Sequence, residues 1–138
     1  MIIASGLDLC LSDDDLWAFY RRLAEKGVDS GKLKVGLDIE ADMRRLEIMR
    51  DALSIASDRP GLMIDSNEYW SAKQSIRFVQ QIEEKFDLVW VEEPARRWDY
   101  QGLRQVSQNV RTAVCTAENL KTLSDVYPLI EQGAADIL

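Results

Sequence analysis

Leu62-Met63-Ile64-Asp65 is a run of three bulky apolar residues that stops on an acid. A continuous apolar run of this length, with no polar alternation, suits a strand covered on both faces in a parallel sheet. The same figure recurs on either side. Downstream, Leu88 to Val91 runs into Glu92-Glu93-Pro94, and Ala113 to Thr116 runs towards Glu118. Upstream lie Lys32 to Leu37 and Ile2 to Cys10, and Ala135 to Leu138 opens a sixth run at the end of the chain.

Helical spacing fills the intervals. Ser12 with Asp15 three residues on is a helix-start signal, and Leu16, Phe19, Tyr20 and Leu23 share one face before Gly27. A helix is expected from about Ile39 to Ser57, with Leu46, Met49 and Leu53 on one row and Ile48, Ala52 and Ile55 on the next. Ser71 and Gln74 form a capping-box pattern ahead of Ile76, Val79 and Phe86. Leu103, Val106 and Val110 mark a fourth helix; Leu123, Val126, Tyr127 and Ile130 mark the apolar face of a fifth, stopped by Gly133. Strands alternating with helices mean βαβ crossovers and a parallel sheet. The 138 residues alone favour an open doubly wound sheet, because a closed eight-stranded barrel needs about 250.

Composition narrows the chemistry. Lys plus Arg total 17 against 24 Asp plus Glu, a net charge of −7, so the basic footprint of a nucleic-acid binder is missing. The sequence contains no His, which excludes within it a Ser-His-Asp triad and any His-ligated zinc. Cys10 and Cys115 lie in apolar runs and read as buried free thiols. No apolar run is long enough to span a membrane and the start lacks a signal-peptide pattern, so a cytoplasmic protein is expected.

In parallel α/β folds, functional side chains gather at the C-terminal ends of strands. Lys34, Asp65, Glu92 and Glu118 stand there at steps of 31, 27 and 26 residues, about one βα unit each. Three carboxylates on one rim repel one another, and a divalent cation relieves that. Oxygen-only ligands favour magnesium, or manganese, over zinc. Helix capping also explains acids at strand ends, although Glu caps poorly. Lys32 and Lys34 are two apart on a strand and point the same way. They fit either an interior cationic pair, one of them a base, or an exposed edge strand.

Four motifs together, Lys32-Leu33-Lys34-Val35-Gly36, Asp65-Ser66-Asn67, Val91-Glu92-Glu93-Pro94 and Glu118-Asn119, resemble the enolase superfamily in its mandelate racemase and muconate lactonizing enzyme branch. The resemblance implies a partial TIM (β/α)8-type barrel, about strands 1 to 6 with helices 1 to 5, residues 1–138 being a fragment of the catalytic barrel domain. It implies Asp65, Glu92 and Glu118 as ligands of Mg2+ (Mn2+ fitting too), and Lys34 as the base that removes the proton α to a carboxylate. Lys32 would touch the substrate carboxylate, with Asn67, Glu93 and Asn119 lining or supporting the site. The implied activity is that of an acid-sugar dehydratase or a racemase, on a small carboxylate, in a homo-oligomeric full-length enzyme. Arg96 and Arg97, just past the fourth strand, fit either a solvated loop, the preferred reading, or contact with substrate, and Trp70 and Trp98 read as packing residues.

The family's capping domain and last strands have no counterpart here, so the fragment by itself is expected to be inactive and to associate through open strand edges. The competing reading is a non-catalytic or receiver-like doubly wound metal-binding domain. Its usual order of acids and lysine differs from the order in this chain.

Overall fold

The structure is a computed structural model that describes residues 3–5 and 8–138. Strands and helices alternate throughout: β1 (Ile3–Ser5), α1 (Asp13–Ala24), β2 (Ser30–Lys34), α2 (Ile39–Leu53), β3 (Gly61–Asp65), α3 (Ala72–Glu83), β4 (Leu88–Glu92), α4 (Tyr100–Asn109), β5 (Ala113–Cys115) and α5 (Leu123–Glu131). The chain divides into two compact units, Met1–Asp65 and Ser66–Leu138. Every strand pair within them is parallel, with strand order following chain order: β1-β2-β3 in the first unit and β4-β5 in the second.

Each helix starts on a residue that satisfies its own first turn. Ser12, Asp38, Ser71, Asp99 and Thr122 are the N-caps, their side chains accepting from the backbone N–H groups of Asp15, Ala41, Gln74, Gly102 and Asp125. Such a cap contributes about 1 kcal/mol. Ser71 with Gln74 and Thr122 with Asp125 are full capping boxes. Because every cap directly follows a strand-end loop, the caps set the length of each loop and hence where the strand-end side chains stand.

In the first unit α1 and α2 cover β2. Leu16 and Tyr20 of α1, Leu46, Met49 and Leu53 of α2 and Leu33 of β2 are fully buried. Gly31 lets the helices approach, since a Cβ there would sit 2.7 Å from both Met49 Sδ and Tyr20 Cε1. Gly31→Ala is therefore expected to destabilise the fold by about 1–3 kcal/mol in denaturant unfolding; an unchanged midpoint would contradict this packing. In the second unit Val79 and Ile82 (α3), Val91 (β4), Leu103 and Val106 (α4), Val114 (β5) and Leu129 (α5) form the core.

Several expectations need correction. β2 runs from Ser30 to Lys34, not from Lys32 to Leu37, and Lys34 ends it. α2 stops at Leu53, which leaves Ile55 outside the helix and 49% exposed. Among the described residues of the expected Ile2 to Cys10 run, Ile3–Ser5 are strand and Leu9 and Cys10 lie in a turn; residues 1, 2, 6 and 7 are outside the described residues. Cys10 is exposed and Cys115 half-buried, so neither is the buried thiol expected. The predicted apolar face of α5 is turned out, with Leu123, Tyr127 and Ile130 between 61% and 88% exposed and Leu129 buried in their place. The expected sixth strand is present as one parallel bridge, Cys115 to Ile137, backed by Asp136 and Ile137 N–H bonds to Val114 O.

Candidate metal and proton-transfer site

The end of β2 is paired with the end of β3, Lys34 opposite Asp65. Both lysines reach the same carboxylate oxygen. Lys34 Nζ lies 2.5 Å from Asp65 Oδ2 and Lys32 Nζ 3.2 Å from it. Asp65 is fully buried, while the lysine side chains keep 15% and 12% of their surface. The edge-strand alternative for the lysines is thereby removed: they face inward onto an acid.

The second unit continues from the next residue. Ser66 donates its N–H to Glu92 O at 3.1 Å and its hydroxyl to Glu93 O at 2.9 Å. Glu92 ends β4 opposite Cys115, and its Oε2 accepts from Trp90 Nε1 at 3.1 Å. Glu92 and Glu118 line one pocket of about 250 Å3 with Cys115, Thr116, Ala117 and Leu138. Glu118 and Asn119 are exposed, as is Asn67. Glu93 is buried and accepts from Asn119 Nδ2 at 3.2 Å, so the two residues expected to support the site are joined to each other.

Sequence reading missed the backbone that makes these placements. Asn67, Glu68, Glu93 and Ala117 have φ of 46°, 60°, 45° and 102°, a conformation most side chains avoid. Each lies just past the end of β3, β4 or β5. Surrounding bonds hold the turns in place. Glu68 N–H donates to Glu93 O at 2.9 Å, and Glu93 N–H to Cys115 O at 2.8 Å. Glu68, 3% exposed, takes a 2.5 Å ion pair from Arg97 Nε, which raises the Arg97 pKa. Arg97 is thus an anchor between two loops and not a free loop cation. Trp70 is buried as expected, but Trp98 is 64% exposed. No glycine marks these left-handed turns, which is why the sequence hides them.

Residues 15–138 match the enolase C-terminal domain-like family. The chain belongs to this family. It is 35% identical over 115 residues to the L-talarate/galactarate dehydratase of Salmonella typhimurium, covering 83% of this chain and 28% of that protein. It is 29% identical over 134 residues to the hydrophobic dipeptide epimerase of Enterococcus faecalis, covering 95% of this chain and 37% of that protein. The structure of L-talarate dehydratase from Polaromonas sp. JS666, complexed with Mg and L-glucarate, superposes with a TM-score of 0.88 at 31% identity, over 99% of this chain and 36% of that one. The chain spans about a third of the length of these family members. A match of residues 15–138 to the enolase C-terminal domain-like family sets aside the doubly wound, receiver-like reading.

The donor set suits the cation in that neighbour. It consists of carboxylate oxygens, the chain has no His, and hard oxygen ligands select Mg2+ or Mn2+. Among the described residues no helix is long and apolar enough to cross a membrane.

Proposed function

We propose that the protein is a magnesium-dependent enzyme of the mandelate racemase type that removes the proton α to a carboxylate, acting on an acid sugar as a dehydratase or as a racemase or epimerase, in the cytoplasm. The observation that carries this reading is the Lys34–Asp65 pair: a candidate base and a candidate metal ligand joined at the ends of adjacent strands, 2.5 Å apart. Asp65, Glu92 and Glu118 would hold the cation, each offering one carboxylate oxygen. Bound there, it would supply positive charge against the negative charge that develops on the substrate carboxylate.

The chain's own groups account for the rest. Lys34 is the group that takes the α-proton onto Nζ. The C–H electron pair moves into the bond between the α-carbon and the carboxylate carbon, giving an enediolate. Expulsion of a β-hydroxyl, which leaves as water with the proton held on Nζ, completes a dehydration, and return of a proton to the α-carbon completes a racemisation or epimerisation. Lys32, on the same face two residues earlier, is placed to meet the substrate carboxylate. Asn67, exposed on its left-handed turn, contributes a polar edge, while Glu93 and Asn119 brace the neighbouring loops. Support for the substrate class comes from the names of the similar proteins, an acid-sugar dehydratase and a dipeptide epimerase.

The test is α-hydrogen exchange in D2O. The full-length protein with Mg2+ is incubated with galactarate, with L-glucarate and with a hydrophobic dipeptide, and deuterium incorporation is followed by NMR. Exchange or water loss on one of these, abolished by EDTA and restored by Mg2+, is the expected result. Exchange that persists in EDTA would overturn the metal-dependent reading, and inertness towards all three would overturn the proposed substrate class.

A further inference from the structure

Behind the β2 lysines lies a buried polar cluster that the reaction as described does not use. Asp8 is 2% exposed, Arg45 6% and Tyr20 fully buried. They come from three different places: the loop before α1, the middle of α2 and the middle of α1. Their polar atoms converge on the backbone of Lys32 and Lys34. Tyr20 Oη donates to Lys32 O at 3.0 Å, Arg45 Nη1 donates to Lys34 O at 3.1 Å, and Lys34 N–H donates to Asp8 Oδ1 at 3.1 Å. The three are joined to one another as well. Arg45 Nη2 lies 2.6 Å from Asp8 O and 3.5 Å from Asp8 Oδ1, and Tyr20 Oη lies 3.4 Å from Asp8 Oδ2.

Stability is a poor reason for this cluster. Burying a charge pair costs several kcal/mol of desolvation per ion, and apolar replacements are often as stable or more so. The burial of Asp8 pushes its carboxyl above the usual carboxylate range despite the Lys34 N–H bond and the Arg45 charge. Tyr20 is pushed up by burial and then by the Asp8 charge beside it. Arg45 Nε is buried with no hydrogen-bond partner. Asp42 adds a further strut, accepting from Gly36 N–H at 2.8 Å. Such a cluster is costly to build, and its bonds end on the strand that carries the lysines. Placement of a reacting group matters steeply, since an error of about 1 Å can cost 10²-fold in rate.

We propose that Asp8, Tyr20 and Arg45 are positioning residues that clamp the C-terminal end of β2, so that Lys34 and Lys32 are held in the geometry proton transfer needs. The inference rests on Lys34 being the base. The clamp grips backbone atoms, so it fixes where both side chains leave the strand without touching substrate or metal. Two lysines on a strand end have long, flexible side chains, and a rigid origin removes much of their positional spread.

The experiment uses the full-length protein, with Tyr20→Phe, Arg45→Lys and Arg45→Met, and Lys34→Ala as the control. Each is assayed for turnover of galactarate, or whichever substrate the exchange assay identifies, for Mg2+ affinity by calorimetry, and for the α-deuterium isotope effect on kcat. Arg45→Met is expected to lower kcat 10- to 100-fold, Tyr20→Phe 3- to 10-fold, and Arg45→Lys to recover part of the loss. KM and Mg2+ affinity should stay within about twofold, and the isotope effect should rise as proton transfer becomes slower than the other steps. A lower folded fraction would reduce kcat but leave the isotope effect unchanged, and that result would overturn the proposal. Kcat within twofold in Tyr20→Phe would overturn it too, even if Arg45→Met does not fold. Full exchange in Lys34→Ala would instead remove the base assignment beneath it, a separate failure.

Discussion

Lys34→Ala should reduce α-hydrogen exchange by about 10³-fold while leaving Mg2+ binding intact. General-base groups contribute typically 10²- to 10⁴-fold, because the proton must leave as the charge develops. Lys34 Nζ and Lys32 Nζ reach the same oxygen of Asp65, at 2.5 Å and 3.2 Å, so the two lysines are told apart by their variants. The alanine variant keeps Asp65, and Lys32 still pairs with it, so no buried carboxylate is stranded and the variant should fold. Lys32→Ala makes the instructive partner. Its expected signature is a raised KM with a smaller loss in kcat, since its role is contact with the substrate carboxylate. Exchange at the wild-type rate in Lys34→Ala would remove Lys34 from the proton-transfer role.

Asp65→Asn should show the largest combined effect, on metal affinity and on stability. Asp65 is fully buried and receives two ammonium groups on one oxygen. An amide there removes the charge both lysines lean on, and it weakens one of three proposed metal ligands. Breaking a buried ion pair by removing one partner costs about 3–5 kcal/mol. The residual exposure of both lysine side chains puts this case at the lower end of that range. Mg2+ affinity should fall by about 10²-fold. Glu118→Gln separates the two effects: Glu118 is exposed, so its loss should weaken Mg2+ binding and hardly move the unfolding midpoint in EDTA. Equal unfolding midpoints for Asp65→Asn and wild type in EDTA would show that the Lys–Asp cluster contributes nothing to stability.

How much of this was legible depended on whether the signal was local. Strand ends were readable because an apolar run stopping on Asp65 or Glu92 needs no partner to be seen. N-caps were readable at Ser12 and Ser71 because the capping residue and its target are three apart in sequence. The family motifs are local in the same sense. The lysines' direction was ambiguous, since an edge strand and an interior strand carry the same two-residue period, and pairing with β3 resolved it. The face of α5 was misread because periodicity shows which residues share a stripe but not which stripe meets the core. With Leu129 buried, the neighbouring Leu123, Tyr127 and Ile130 face outward.

The amino-acid sequence alone determined the alternation of strands and helices, the residues standing at the strand ends and the family to which they belong. Each of these is written in short-range pattern and residue type. Tertiary structure decided what those residues meet. Asp8 gave no signal in Leu7-Asp8-Leu9, yet it is buried against Arg45, 37 positions away, and holds the Lys34 N–H. Arg97 read as a loop cation until Glu68, 29 residues earlier, was found beside it. The left-handed turns at Asn67, Glu68 and Glu93 occur without glycine because bonds from neighbouring strands and loops compensate the strain. Those bonds exist only once the chain has folded, so no local reading of the sequence could contain them.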